Sequence, residues 1–125
     1  AKYPNRVLNT PISEAGFVGI SCVAALAGMK PIVEIMFGDF ALVAADQLFS
    51  QIAKTRHMYG GKTDVPLVAR TRVGVGCGYG GQHSMDPVAL YALFPGWRIV
   101  YPSDAFDYIG LFNSAMTSLD PVVLI

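Results

Sequence analysis

The sequence predicts an α/β fold, a mostly parallel sheet with helices on both faces. Three observations lead there. Short β-rich runs alternate with longer helical runs along the chain, and such alternation implies crossover connections. The 125 residues suit one domain and are too few for two ordinary ones. Hydrophobic residues make up 53% and charged residues only 14%, which supplies a core and leaves apolar surface for partners to cover. A chain of this size buries roughly two-thirds of its unfolded surface, so it needs no disulfide or metal staple.

The elements follow in order. Residues 6–9 read as a short strand or strand end. Ser13 is the expected N-cap of a helix through residue 27, stopped by Gly28. Residues 30–36 (KPIVEIM) read as a strand. Asp39 is expected to cap a long helix through His57, closed by Gly60-Gly61. A strand at 65–70 leads into a glycine-rich loop at 74–81. Asp86-Pro87 opens a short helix to Leu93, and Pro95-Gly96 ends it. A strand at 98–101 follows. Ser103 or Asp104 caps a helix to about residue 118, and residues 121–125 (PVVLI) form the last strand. In such a sheet, ligands sit at the carboxyl ends of strands. Here those ends are residues 9–14, 36–40, 71–84 and 102–104.

Composition excludes several classes. High apolar content with little charge excludes intrinsic disorder. Nine Lys+Arg balance nine Asp+Glu, leaving no basic excess for nucleic acid or a membrane surface. The longest apolar stretch, residues 16–29, is interrupted by Gly16, Gly19, Ser21 and Gly28 and falls short of the roughly 20 residues of a membrane span. Cys22 and Cys77 make neither a disulfide framework nor a zinc site unaided, and point to a reducing compartment.

Several residues invite a chemical reading beside a plain one. Gly76 to Gly81 satisfies G-x-G-x-x-G after a strand, with Asp104 at a later strand end. A dinucleotide fingerprint should open directly into a helix, whereas HSMDP intervenes here. The loop therefore reads as glycine-dependent turning or as close approach of backbone to a cofactor. Glu14 is either a first-turn acid complementing the helix dipole or a lone carboxylate for proton exchange. Glu34, inside an apolar strand, reads as half of a structural ion pair. His57 suits a helix C-terminus, while His83 falls on the ligand-facing edge and is open between function and a solvated position. Ser84 lacks the partners and the elbow of a hydrolase nucleophile. Phe37 and Phe40 flank a strand-to-helix turn, where they either fill core or stack on a flat ring.

Four segments in order carry a resemblance: TPISEAGFVGI, KPIVEIMFGDFALVAADQLFSQIAKTRHMYGG, GCGYGGQHS and FPGWRIVYPSD. Together they are similar to the pyrimidine-binding region of thiamine-diphosphate enzymes, in particular the β subunit of 2-oxo acid dehydrogenases. The similarity runs from residue 6 to residue 125. It implies a transketolase-type pyrimidine domain and a decarboxylating enzyme that passes an acyl group to a lipoyl arm, with pyruvate or a branched-chain 2-oxo acid as substrate, or else the related cleavage of acetoin. It implies that Glu14 contacts the aminopyrimidine ring, that Phe40 or Phe37 stacks on it, and that His83 lies beside the substrate. It implies a partner-facing helix at 39–57, which fits the near-absence of charge over residues 40–53.

The family's G-D-G segment with a downstream Asn, which holds the diphosphate through Mg²⁺, has no counterpart here: Gly38-Asp39 is followed by Phe40. The resemblance therefore implies a diphosphate-binding α subunit or fused domain as partner, a lipoyl-bearing acyltransferase, and a β–β contact. It also implies that the chain is one pyrimidine-binding domain of a longer subunit, in the bacterial cytoplasm or mitochondrial matrix. Some members hold a structural K⁺ in segments matching 66–68 and 115–120. Transketolase, deoxyxylulose-phosphate synthase, a non-catalytic assembly domain and a nicotinamide-binding domain are the competing readings.

Overall fold

The computed structural model describes residues 2–125. Four short parallel strands carry the fold: β1 (Ile32–Glu34), β2 (Val68–Arg70), β3 (Arg98–Val100) and β4 (Val122–Leu124), in the order β1-β2-β4-β3. One row of register partners, Val33, Ala69, Val123 and Ile99, crosses the sheet and points to one face. Val33, Ala69 and Val123 belong to the larger core cluster, with Val18, Cys22, Leu48, Phe49, Tyr91 and Trp97, and the partly buried Ile99 packs against it. The alternate residues Val68, Val122 and Val100 face the other way and pack on Ala115, Phe112 and Met116. Helices thus cover both faces, as expected.

Helix α1 (Glu14–Leu26) starts after Ser13, though the Ser13 side chain makes no capping bond. Gly28, at φ +90°, turns the chain, and β1 runs back along α1. The N-terminus of α1 therefore lies at the same end of the sheet as the exit of β1. Helix α2 (Thr55–Met58) is one turn, α3 spans Val88–Ala92, and α4 spans Ala105–Thr117. Asp104 caps α4 by accepting the Asp107 N–H at 2.8 Å. Asp86 accepts the Val88 N–H at 3.0 Å, so α3 begins two residues after its acid.

Two expectations need correction. Residues 6–9 form no strand. A 3₁₀ turn at Pro4–Arg6 leads into exposed chain, and Val7 and Leu8 have no ladder partner on the sheet. Residues 39–57 are not one α-helix with Asp39 as its cap. They divide into a 3₁₀ turn (Gly38–Leu42), a π-helical segment (Asp46–Ile52) and α2. The cause is tertiary. The Leu48 carbonyl accepts the Ala53 N–H at 3.1 Å and also the Trp97 indole N–H at 3.1 Å. An outside donor on a helical carbonyl widens the turn. Gly96 fixes the same spot: at φ +120°, a Cβ there would lie 1.9 Å from the Ala53 carbonyl oxygen.

The amino-terminal end of the sheet is tied by charge. Asp120, two residues before β4, meets Arg56 at 2.6 Å and Arg98 at 2.8 Å, and Arg56 also reaches Asp64 at 2.8 Å. Partial burial alone would raise the Asp120 pKa. Hydrogen bonds from Arg98 and Arg56 outweigh that and hold it below the usual carboxylate range. The expected partner of Glu34 is Arg70, its register neighbour on β2.

Candidate active site at the carboxyl edge of the sheet

Thr71 joins three strand exits. Its N–H donates to the Leu124 carbonyl at 2.9 Å and its hydroxyl to the Ile35 carbonyl at 2.7 Å. Two segments leave from that junction. One is Met36-Phe37-Gly38-Asp39-Phe40. The other is the glycine loop, where Gly76, Gly78 and Gly80 all have positive φ. The loop closes in a 3₁₀ turn at Gly81–His83, and the Ser84 hydroxyl donates to the Gly80 carbonyl at 2.7 Å. Helix α3 begins only at Val88, so no helix opens inside the glycine motif. The dinucleotide outline lacks its structural context.

The two segments meet through their rings. The His83 imidazole stands edge-on to Phe37 at 5.1 Å and to Phe40 at 5.3 Å between ring centres. Phe40 also packs on the main core, while Phe37 contacts Tyr79 at 5.6 Å. His83 Nδ1 is buried without a hydrogen-bond partner among the described residues. Such an atom is costly unless a ligand or water meets it.

Glu14 is the first residue of α1, half-buried, at this same edge of the sheet. No hydrogen bond or ion pair engages its carboxylate among the described residues. The helix terminus favours a negative charge there. His57, in contrast, is exposed at the end of α2, away from these residues. Cys22 is buried, which pushes its thiol pKa up, and Cys77 is exposed on the loop.

Sequence reasoning missed three neighbours. The Arg72 guanidinium lies over the Phe37 ring at 5.2 Å, Tyr79 contacts the same ring, and the Asp39 carboxylate reaches the segment after His83. A second arginine two residues past the exposed Arg70 that ends β2 was the available signal for Arg72. Nothing local marks Tyr79 or Asp39, because their partners are remote in sequence.

Two concavities lie away from these rings. One of about 530 Å³ opens at the start of α4, beside Pro102, Asp104 and Tyr108. Another of about 300 Å³ separates α1 from residues 46–59. Neither is lined by Glu14, Phe37, Phe40 or His83. Phe37, Phe40 and His83 form a half-buried shelf at this edge. Carbonyls in the segments matched to a K⁺ site are already engaged. Met116 accepts from Lys30 Nζ at 3.0 Å, Leu119 from the Val65 N–H at 3.0 Å, and Leu67 from the Val122 N–H at 2.9 Å.

The family described as transketolase, pyrimidine binding domain, matches residues 1–125. The β subunit of acetoin:2,6-dichlorophenolindophenol oxidoreductase from Cupriavidus necator is 45% identical over 123 residues, 98% of this chain and 36% of that protein. The mitochondrial pyruvate dehydrogenase E1 component subunit beta-1 of Arabidopsis thaliana is 43% identical over 122 residues, 98% of this chain and 34% of that protein. The chain spans about a third of the length of the curated relatives it matches. Among solved structures, a split-gene transketolase described as an inactive β4 tetramer superimposes with a TM-score of 0.80 at 20% identity, covering 98% of this chain and 37% of that one. That likeness bears out the fold expected from the alternation of strands and helices. The chain belongs to the transketolase pyrimidine-binding domain family.

Proposed function

We propose that this chain supplies the aminopyrimidine half of a thiamine-diphosphate site in the β subunit of a 2-oxo acid dehydrogenase. The observation that carries the reading is the His83 ring held edge-on between Phe37 and Phe40, its Nδ1 buried and unpaired, on the edge where Glu14 also lies. These residues fit the pyrimidine half of the cofactor: an unengaged carboxylate, flat apolar rings at a strand exit, and a histidine with hydrogen-bonding capacity to spare. They do not fit the diphosphate half. No group of three His, Cys, Asp or Glu side chains suited to a metal occurs among the described residues, and Asp39 is turned to a backbone N–H. In this reading Mg²⁺ and the diphosphate fall to an α subunit or fused domain.

When bound, the cofactor supplies the electron sink for decarboxylating a 2-oxo acid. Glu14 would hold the pyrimidine ring nitrogen, and its carboxyl oxygen would hold or release the proton needed there. Phe40 or Phe37 presents an apolar face to the ring. His83 would hydrogen-bond the substrate and, in the assembled enzyme, assist transfer to a lipoyl group on an acyltransferase. Leu42 and Val43 are more than half exposed, as are Ile20 and Val23 on α1. These apolar residues suit burial against α and β partners.

The test is turnover in the complex reconstituted with a diphosphate-binding subunit. Glu14→Gln should lower thiamine-dependent decarboxylation by about 10²-fold or more. Near-parental turnover would remove Glu14 from the mechanism. His83→Ala should depress acyl transfer while cofactor affinity holds. Comparing pyruvate, branched-chain 2-oxo acids and acetoin as substrates then assigns the reaction.

A further inference from the structure

The Gly38-Asp39 pair has no part in the function just proposed, yet it touches the chain on both sides of His83's neighbourhood. Gly38 packs against Pro87: a Cβ at position 38 would lie 2.7 Å from Pro87 Cγ and 3.4 Å from the Met85 carbonyl oxygen. Its N–H donates to the Arg72 carbonyl at 3.0 Å. Asp39 Oδ1 accepts the Met85 N–H at 3.2 Å, a tie across 46 positions. Asp39 Oδ2 is buried with no hydrogen-bond partner among the described residues. From the other side, Gly74 abuts His83 itself, where a Cβ would lie 1.9 Å from the His83 carbonyl oxygen.

An acid placed for local reasons would cap its own turn. The Asp39 carboxylate makes no hydrogen bond within its own 3₁₀ turn, Gly38–Leu42. The carboxylate instead engages the backbone two residues past His83, and leaves one oxygen buried without a donor. That arrangement costs stability. What it achieves is placement. With Gly74 behind the His83 carbonyl and Asp39 on the Met85 amide, the segment cannot slide along the Phe37–Phe40 shelf.

We propose that Asp39 is a positioning residue that pins the Met85 amide and thereby holds the His83 imidazole between Phe37 and Phe40. This deepens the proposed function and rests on its assignment of His83 to the substrate. The effect is indirect, so it should appear in kcat more than in cofactor binding.

The test combines residue-resolved hydrogen exchange with kinetics on the assembled enzyme. In the parent, after correction for intrinsic rates, the Met85 amide should exchange at least about tenfold more slowly than that of exposed Asp86. Asp39→Ala should abolish the difference and lower kcat about tenfold, with cofactor affinity changed less than about threefold. Asp39→Asn keeps an acceptor oxygen and should restore both readings to within about threefold of the parent. An unprotected Met85 amide in the parent overturns the proposal, and needs no variant to fold. So does an Asp39→Ala enzyme with parental exchange and parental kcat. Failure of the underlying reading looks different: His83→Ala would then leave turnover intact while the exchange pattern at Met85 stayed as expected.

Discussion

The two ends of the sheet treat their polar groups differently. At the amino end, Arg56, Asp64, Arg98 and Asp120 satisfy one another, and Trp97 and Gly96 lock the Leu48–Ala53 turn. At the carboxyl end, His83 Nδ1 and Asp39 Oδ2 are buried without partners, and the loop runs through three glycines at positive φ. The contrast is one of degree: the carboxyl end also pairs Glu34 with Arg70 and seats the Thr71 hydroxyl on the Ile35 carbonyl, and the Tyr91 hydroxyl beside Trp97 is likewise buried without a partner among the described residues, but only at the carboxyl end do an imidazole and a carboxylate stay unpaired beside apolar rings. That contrast is what an α/β domain needs if its ligand edge is to be completed by something else.

Two glycines sharpen the comparison, because each sits where a Cβ would lie 1.9 Å from a backbone oxygen. Gly96→Ala should have the largest effect on the fold. It adds the strain of φ +120° to a clash with Ala53, and should cost about 3 kcal/mol or more of stability, read by chemical denaturation. Parental stability would show that the amino end is looser than described. Gly74→Ala drives a Cβ into the His83 carbonyl. In assembled enzyme that still folds, turnover should fall about tenfold or more, since small displacements of a reacting group are expensive. If Gly74→Ala lowers only stability, the carboxyl edge is not tuned for His83.

The third prediction concerns acid. The folded-state pKa of Asp120 is depressed, so its contribution is present above the ordinary carboxylate range and is lost as pH falls through the folded value. The parent should therefore lose stability below about pH 4, and Asp120→Asn should flatten that limb while being less stable at neutral pH. Equal acid limbs in the two proteins would mean the arginines add nothing. The smallest effect is expected at the half-exposed Glu34–Arg70 pair on the rim of β1. Glu34→Gln should change stability by less than about 1 kcal/mol, and by less still at high salt.

Much of the fold was legible because its signals are local. The caps at Asp86 and Asp104, the stop at Gly28 and all four strands were read within a few residues of their positions. The break in the segment after Asp39 was not, because its cause is an indole donated from Trp97, 49 positions away from Leu48. The candidate site was partly legible. Glu14, Phe37, Phe40 and His83 stood out by residue type at strand and helix ends. Arg72 and Tyr79 over Phe37, and Asp39 beneath Met85, did not.

The sequence by itself determined the class of fold, the parallel crossovers and the family, because hydrophobic period, capping residues and motif order are all carried along the chain. Only the tertiary structure decided which rings meet His83, which oxygen Asp39 offers to Met85, and where the helix after β1 gives way. Those are contacts between segments tens of residues apart. Their geometry is set by how strands are ordered in the sheet, which no single stretch of the chain encodes.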